Sequence, residues 1–512
     1  MKRFISFLLA VCTLCFCLVS CADSKSGSSG GGEVTNAPDR AEGKWDGVSF
    51  NGEEIIVSLS DYVPSMAASA GATHSVKYIQ GPDDYTTDSV QNAAYDRNMR
   101  VTQTLSINPH YDYVTYTANP DYSLEVIETY VLTDLEDSPD ILSAKSYGVI
   151  RAAIKGMLHN ALKTDEKNYF DFSQDGWYSD YIYANTLNPE RAFVLGGDYF
   201  IDMLRFTFAI LVNTDMYDEV FASEGGSESL FELIEAGDWT YDELMRTADM
   251  AHVDAGVIGK QDPTEDTFGI ITSLPWTTIN FFYSAGMDIF EYRDDKLCYI
   301  DDITEMHNLL DRLIDMGNHA SFLDPQTSSA ISIFMEGRSL YALDKPLLTL
   351  EGTYIQSMDD KVAIIPYPKY YNDEIYRGML CDDGNVGCIL YNSDKFTPCS
   401  AFLQMMAEES NGGKGSLIYE YFEVGLKYKL SSTASQISML EFIRNGMTSP
   451  ASVVHDNYFA KNIGDPNIKT HASLMNSSFK AKTNTLSSDW QAQLEAVQAS
   501  MDAAVARYGI QQ

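Results

Sequence analysis

The first two dozen residues constrain this chain more than any other part of it. Lys2 and Arg3 precede an apolar run from Phe4 to Val19. A charged n-region and then an h-region are read as a secretory signal, so these residues are no part of the fold. The run has a length that also suits a membrane anchor. The residues after the run decide between the two. Small residues lead to Cys21, and the segment from Ser24 to Gly32 reads SKSGSSGGG. Gly/Ser composition gives a flexible tether. The folded part is therefore expected to begin near residue 43.

Leu18-Val19-Ser20-Cys21 resembles the lipobox of bacterial lipoproteins. That resemblance implies cleavage before Cys21, a diacylglycerol on its thiol, and a domain held outside the membrane by lipid and tether.

The chain has 512 residues and a formal charge of −38, from 35 Lys+Arg against 73 Asp+Glu. The length predicts two domains or lobes. With 45% hydrophobic and 12% aromatic residues it can pack a large core. A phosphate backbone would be repelled by this charge, which excludes nucleic acid as the main partner. A basic membrane-binding patch is excluded on the same ground. Tyr outnumbers Phe, 32 to 24, which points to rings with one wet edge.

Four of the eight cysteines fall in the first 21 residues, and the rest are Cys298, Cys381, Cys388 and Cys399. Their spacing fits neither a zinc site nor a thioredoxin-like pair. Cys381 and Cys388 either pair across a tight loop or stay buried as free thiols.

Strand-like and helix-like segments alternate, which predicts α/β. Ile55–Leu59, Tyr111–Thr117, Phe206–Val212 and Val362–Ile365 read as strands, and Asp88–Leu105 as a polar helix. Thr240-Tyr241-Asp242-Glu243 reads as a capping box. Thr397-Pro398 reads as a cap with proline at the first helical position. Trp490, Leu494, Val497, Met501 and Tyr508 form the packing stripe of a last helix stopped by Gly509.

Catalytic motifs are missing: there is no HExxH and no Walker A pattern. The nucleophile-elbow pattern at Gly27–Gly31 lies in the tether, with no strand before it. Acid pairs are too frequent in this chain to mark a glycosidase. No catalytic residue, metal or cofactor is assigned.

From Pro139 on, short segments resemble, in order, those of bacterial extracellular solute-binding proteins of ABC importers, in particular the carbohydrate-type, family 1-like group. They are Pro139–Leu142, Ala161-Leu162, Phe170–Ser173, Trp177-Tyr178, Gly196–Asp198 and Phe208–Asp215. Asp238–Leu244, Phe268–Ile270, Phe334–Arg338 and Ile365–Pro368 complete the series. Thr214 departs from the pattern, which usually has Lys there. The resemblance implies a two-lobed periplasmic-binding-protein-like (type II) α/β fold with interleaved lobes and a ligand cleft between them. It divides the chain into signal peptide (1–20), lipidated Cys21 and tether (21–42), an N-terminal lobe (43–207 and 380–445) and a C-terminal lobe (208–379 and 446–512). It implies capture of a small solute, an oligosaccharide above all, for a membrane permease, by a monomeric protein on the outer face of the cell membrane. A secreted glycan-active enzyme and a surface glycan-binding protein without a transporter are the alternatives.

Sugars offer hydroxyl rims and weakly apolar faces, so rings and acid or amide acceptors are the candidates. Asp61 and Tyr62 end the first strand, where a plain capped strand end is the other reading. Asp198 and Tyr199 come directly after a Gly-Gly turn. Trp276 is the favoured stacking platform. Tyr341 and Asp344 end a strand that reaches the cleft in the family. Asp382 and Asp383 lie near the return crossing, as hydroxyl acceptors or as solvated turn residues.

Overall fold

The structure is a computed structural model. It describes residues 43–60, 76–114, 122–133, 137–272, 276–294, 296–324, 330–351, 355, 357–371, 375–381, 384–426, 434–448 and 467–510. Cys21, the tether, Asp61, Tyr62, Asp382 and Asp383 lie outside the described residues.

The strands are β1 (Glu53–Ser60), β2 (Ile107–Val114), β3 (Ile141–Lys145), β4 (Phe208–Asn213), β5 (Phe268–Ile271), β6 (Phe290–Arg293) and β7 (Lys296–Tyr299). After them come β8 (Phe322–Leu323), β9 (Ser339–Pro346), β10 (Val362–Ile365), β11 (Gly378–Met379), β12 (Asn385–Ile389) and β13 (Met447–Thr448). The helices that matter below are α1 (Ser89–Leu105), α2 (Tyr122–Thr133), α3 (Ser146–Ile154), α4 (Tyr241–Ala251) and α5 (Thr277–Ser284). They are joined by α6 (Phe396–Ser410), α7 (Ala434–Asn445), α8 (His471–Ala481) and α9 (Leu486–Arg507).

Two mixed sheets form the two lobes. The first has the order β12-β3-β1-β2, with only β12 antiparallel to its neighbour. The second has the order β10-β4-β9-β5-β8, with β4 antiparallel to the strands on both sides. In β1 the alternating Ile55, Val57 and Leu59 are fully buried on one face. They share a core cluster with Phe402, Met405 and Met406 of α6.

Local signals explain most boundaries. Asp88 caps α1 by accepting from the Val90 and Gln91 N–H groups at 2.9 and 3.2 Å. Thr240 caps α4, its hydroxyl accepting from the Glu243 N–H at 3.4 Å. The Glu243 carboxylate turns outward to Arg246 instead, so the side-chain cap is confirmed and a reciprocal one is not. α6 starts at Phe396, ahead of the Thr397 cap expected from sequence. Ser393 accepts the Lys395 N–H there, and Pro398 falls in the first turn, where a missing N–H breaks no helical bond. β2 begins four residues before the Tyr-rich run that marked it. Pro109 hides its start, and a proline is tolerated because β2 is an edge strand. In α9, Trp490 stacks on Tyr299 at 4.8 Å and 27°.

Three short segments run side by side between the sheets. Thr207 bridges Leu380, the Cys381 N–H donates to the Phe206 carbonyl at 3.0 Å, and the Gly378 N–H donates to the Gly446 carbonyl at 2.9 Å. β11 and β13 pair here as well. Gly446 is required at this point, since a Cβ would stand 1.8 Å from the Tyr376 carbonyl oxygen. α7 packs on β10 of the second sheet. Among the described residues no helix is long and apolar enough to cross a membrane.

Candidate functional site

In an open α/β sheet a ligand is met beyond the carboxyl ends of the strands. In the second lobe β5, β8, β9 and β10 all end at one edge, and Asp344 organises it. This residue has φ +59°, a left-handed conformation that short polar side chains tolerate. Its Oδ2 accepts from the Thr272 and Thr277 hydroxyls at 2.5 and 2.6 Å. Its Oδ1 accepts from the Asn280 amide and the Tyr367 hydroxyl, both at 2.6 Å. Its own N–H donates to the Tyr367 oxygen at 2.9 Å. The carboxylate thus ties the ends of β5, β9 and β10 to the first turn of α5. With about four acceptor positions on a carboxylate, four donors leave none for a ligand. Burial pushes the Tyr367 phenol well above its ordinary value, and the Asp344 charge adds to this. Burial pushes the neighbouring Lys345 ammonium down, with Asp344 opposing.

Trp276 stands next to this node, immediately before Thr277. It is partly exposed, and its ring lies 5.9 Å from Phe208 at 37°. Among the described residues it is the one predicted ring that keeps an exposed surface. Tyr341 lies three residues back along β9 and is fully buried, bonded to the Thr247 hydroxyl at 2.9 Å and against Trp239. The alternation of β9 turns its ring into the core instead of the cleft.

At the matching edge of the first lobe, β1 ends at Ser60 and β3 at Lys145, both buried. The Ser60 and Ser123 hydroxyls are buried and have no hydrogen-bond partner among the described residues. Ser123 opens α2 and packs so closely on α3 that a Cβ at Gly148 would stand 2.4 Å from its own. These hydroxyls carried no sequence signal, because a lone serine at a strand or helix end is common.

Asp198 and Tyr199 are both buried. Asp198 accepts from the Tyr178 hydroxyl at 2.5 Å and from Arg444 of α7 at 2.9 Å. Burial pushes its carboxyl up, against the pull of Arg444. Tyr199 is fully buried between Phe200 and Phe402, with the Arg97 guanidinium 5.1 Å from its ring centre. Close by is an ionic network that sequence reasoning missed. Arg205 holds Glu351 through two bonds of 2.7 Å and Asp202 through one of 3.1 Å. Tyr421 donates to Glu351 at 2.8 Å. Glu351 comes after β9 of the second sheet, whereas Asp202 is bonded by Asn385 of the first.

Among the described residues Cys298, Cys388 and Cys399 carry free thiols, so no bond joins Cys388 to Cys381. No cluster of metal-ligating side chains occurs among the described residues.

No family model matches the chain, and no curated protein matches it in sequence. Solved structures do. An ABC-transporter solute-binding protein from Thermotoga lettingae, bound with α-D-tagatose, matches with a TM-score of 0.51 at 12% identity, over 88% of this chain and 100% of that one. A cyclic α-maltosyl-1,6-maltose-binding protein from Arthrobacter globiformis matches at 0.53 and 12%, over 88% and 99%. The fold is that of the ABC-transporter solute-binding proteins. The galacto-N-biose/lacto-N-biose I-binding protein of the ABC transporter from Bifidobacterium longum, in complex with lacto-N-biose, matches at 0.52 and 12%, over 90% and 99%. All three are binding proteins, and at this identity the fold is what they share with the chain.

Proposed function

We propose that the protein is an extracellular lipoprotein that captures an oligosaccharide between two lobes and delivers it to an ABC-importer permease. One observation carries this reading: two α/β sheets joined by three adjacent crossings, in a fold shared with the three sugar-binding proteins above. Lobes that meet at Phe206–Phe208, 378–381 and 446–448 suit hinge closure around a ligand. In this proposal one lobe takes residues 43–207 and 380–445, apart from α7, which packs on β10 of the second sheet, and the other takes 208–379 and 446–512.

In the cleft, Trp276 offers a face for a sugar ring. Ser60 and Ser123 offer hydroxyls that a ligand or water satisfies. Asp61, Tyr62, Asp382 and Asp383 remain proposed contacts. Asp344 acts one step back, by fixing the first turn of α5, which Trp276 immediately precedes. Asp198, Tyr199 and Tyr341 act as packing and tethering groups. In this proposal the signal, Cys21 lipidation and the Gly/Ser tether hold the protein on the outer face of the membrane, where it acts as a monomer and a binding protein.

Calorimetry of the mature protein against a panel of oligosaccharides and peptides tests the reading. Saturable binding of a saccharide is expected. Binding of peptides with no saccharide would overturn the sugar assignment.

A further inference from the structure

Beside the end of β8 in the second lobe, a cavity of about 410 Å³ is lined by Gln261, Gly317, Asp324, Lys480 and Lys482 over Phe322 and Phe479. Two contacts fix its position relative to the cleft. β8 pairs in parallel with β5, Phe322 opposite Ile270 and Leu323 opposite Ile271. Asp324 therefore emerges at the same edge as Thr272. α8 runs along α5: its first residue, His471, packs on Phe282 near the far end of α5, and Asn476 accepts from Thr278 at its start, at 2.6 Å. α8 thus advances toward the edge that bears Trp276. Phe479 and Lys480 lie one turn beyond Asn476, about 5.4 Å.

The lining is mixed in a way that selects a ligand. The Gln261 amide donates to the Ala320 and Phe322 carbonyls at 3.1 and 2.7 Å, which fixes it and leaves its oxygen as an acceptor. Lys482 donates to the Gly317 carbonyl at 2.6 Å and lies 4.7 Å from the centre of the Phe479 ring, so its ammonium is held in place with further N–H groups in hand. Lys480 adds a second ammonium and Asp324 a carboxylate. An apolar ligand would strand the lysines, and a simple anion would face Asp324. A polyhydroxylated ring uses donors and acceptors together. The volume lies in the range of small-ligand pockets.

We propose that this cavity is a second saccharide subsite, so that the captured ligand is an oligosaccharide long enough to occupy it together with the space beside Trp276. The inference rests on the saccharide-capture reading above and adds the length of the ligand and the residues that sense it.

The test is calorimetry of the mature protein with malto-, xylo-, cello- and manno-oligosaccharides, each from disaccharide to hexasaccharide. In the series that binds, affinity is expected to rise with length and then level off. The surface variant Gln261→Ala/Lys480→Ala is expected to weaken the hexasaccharide about tenfold and leave the shortest ligand unchanged. Hydrogen exchange of the 479–483 amides should slow with the hexasaccharide and not with the disaccharide. Affinity independent of length, or a variant effect equal at all lengths, would overturn the subsite and leave capture intact. If no oligosaccharide binds, the capture reading falls and the subsite with it.

Discussion

Replacing Asp344 tests how the cleft edge is held. In Asp344→Ala four buried donors lose their acceptor. The Thr272 and Thr277 hydroxyls are 2.6 Å apart, so one can donate to the other. The second threonine hydroxyl, the Asn280 amide and the Tyr367 hydroxyl are left, all deeply buried. At about 1–3 kcal/mol for each unsatisfied group, the loss is about 6 kcal/mol. Alanine at φ +59° adds about 1 kcal/mol. Asp344→Asn behaves differently. Asparagine accepts the left-handed backbone, its oxygen still serves Asn280 and Tyr367, and the threonine hydroxyls can turn to accept from its amide. The cost is then the difference between charge-assisted and neutral bonds, about 1–2 kcal/mol. Urea unfolding monitored by tryptophan fluorescence measures both variants, provided the slope stays constant. Asp344→Ala within about 1 kcal/mol of the parent, or Asp344→Asn as unstable as Asp344→Ala, would refute the reasoning. An asparagine variant with unchanged stability and no ligand binding would make Asp344 a direct ligand contact instead.

Glu351→Gln leaves Arg205 short of its main counter-charge at 2% exposure, and a loss of about 3–5 kcal/mol is expected in the same unfolding assay. Trp276→Ala should raise the Kd of a bound saccharide about tenfold by calorimetry while the melting temperature stays close to the parent's. Burial pushes the Cys388 and Cys399 thiols far up. In native protein under mildly alkaline conditions, iodoacetamide should therefore label the part-exposed Cys298 and spare those two, as read by peptide mass spectrometry.

Much of the fold was legible because short-range chemistry sets it. Asp88 and Thr240 mark helix starts by their own hydrogen bonds, and Val362–Ile365 is an uninterrupted apolar run whose strand ends at Pro366 as read. The α/β alternation and the order of the family-like segments led to the two-lobed fold. The site was less legible. Trp276 was singled out because an aromatic after a proline is conspicuous, and the structure leaves it partly exposed beside Thr277. Tyr341 was placed by its distance from a strand end, but a β-strand turns alternate residues to opposite faces, and register decides which face is inside. Thr272, Thr277, Asn280 and Tyr367 meet Asp344 only because β5 and β9 pair and β10 ends beside them. Their separation along the chain leaves no local pattern to read. The Arg205–Glu351 pair joins residues 146 positions apart, and its partners are as common in sequence as any surface acid and base.

Closure of two lobes on a saccharide is the central claim. Small-angle scattering of the mature protein, with and without a saturating saccharide that binds by calorimetry, addresses it directly. A smaller radius of gyration is expected in the complex. An unchanged radius with the binding site fully occupied would contradict it.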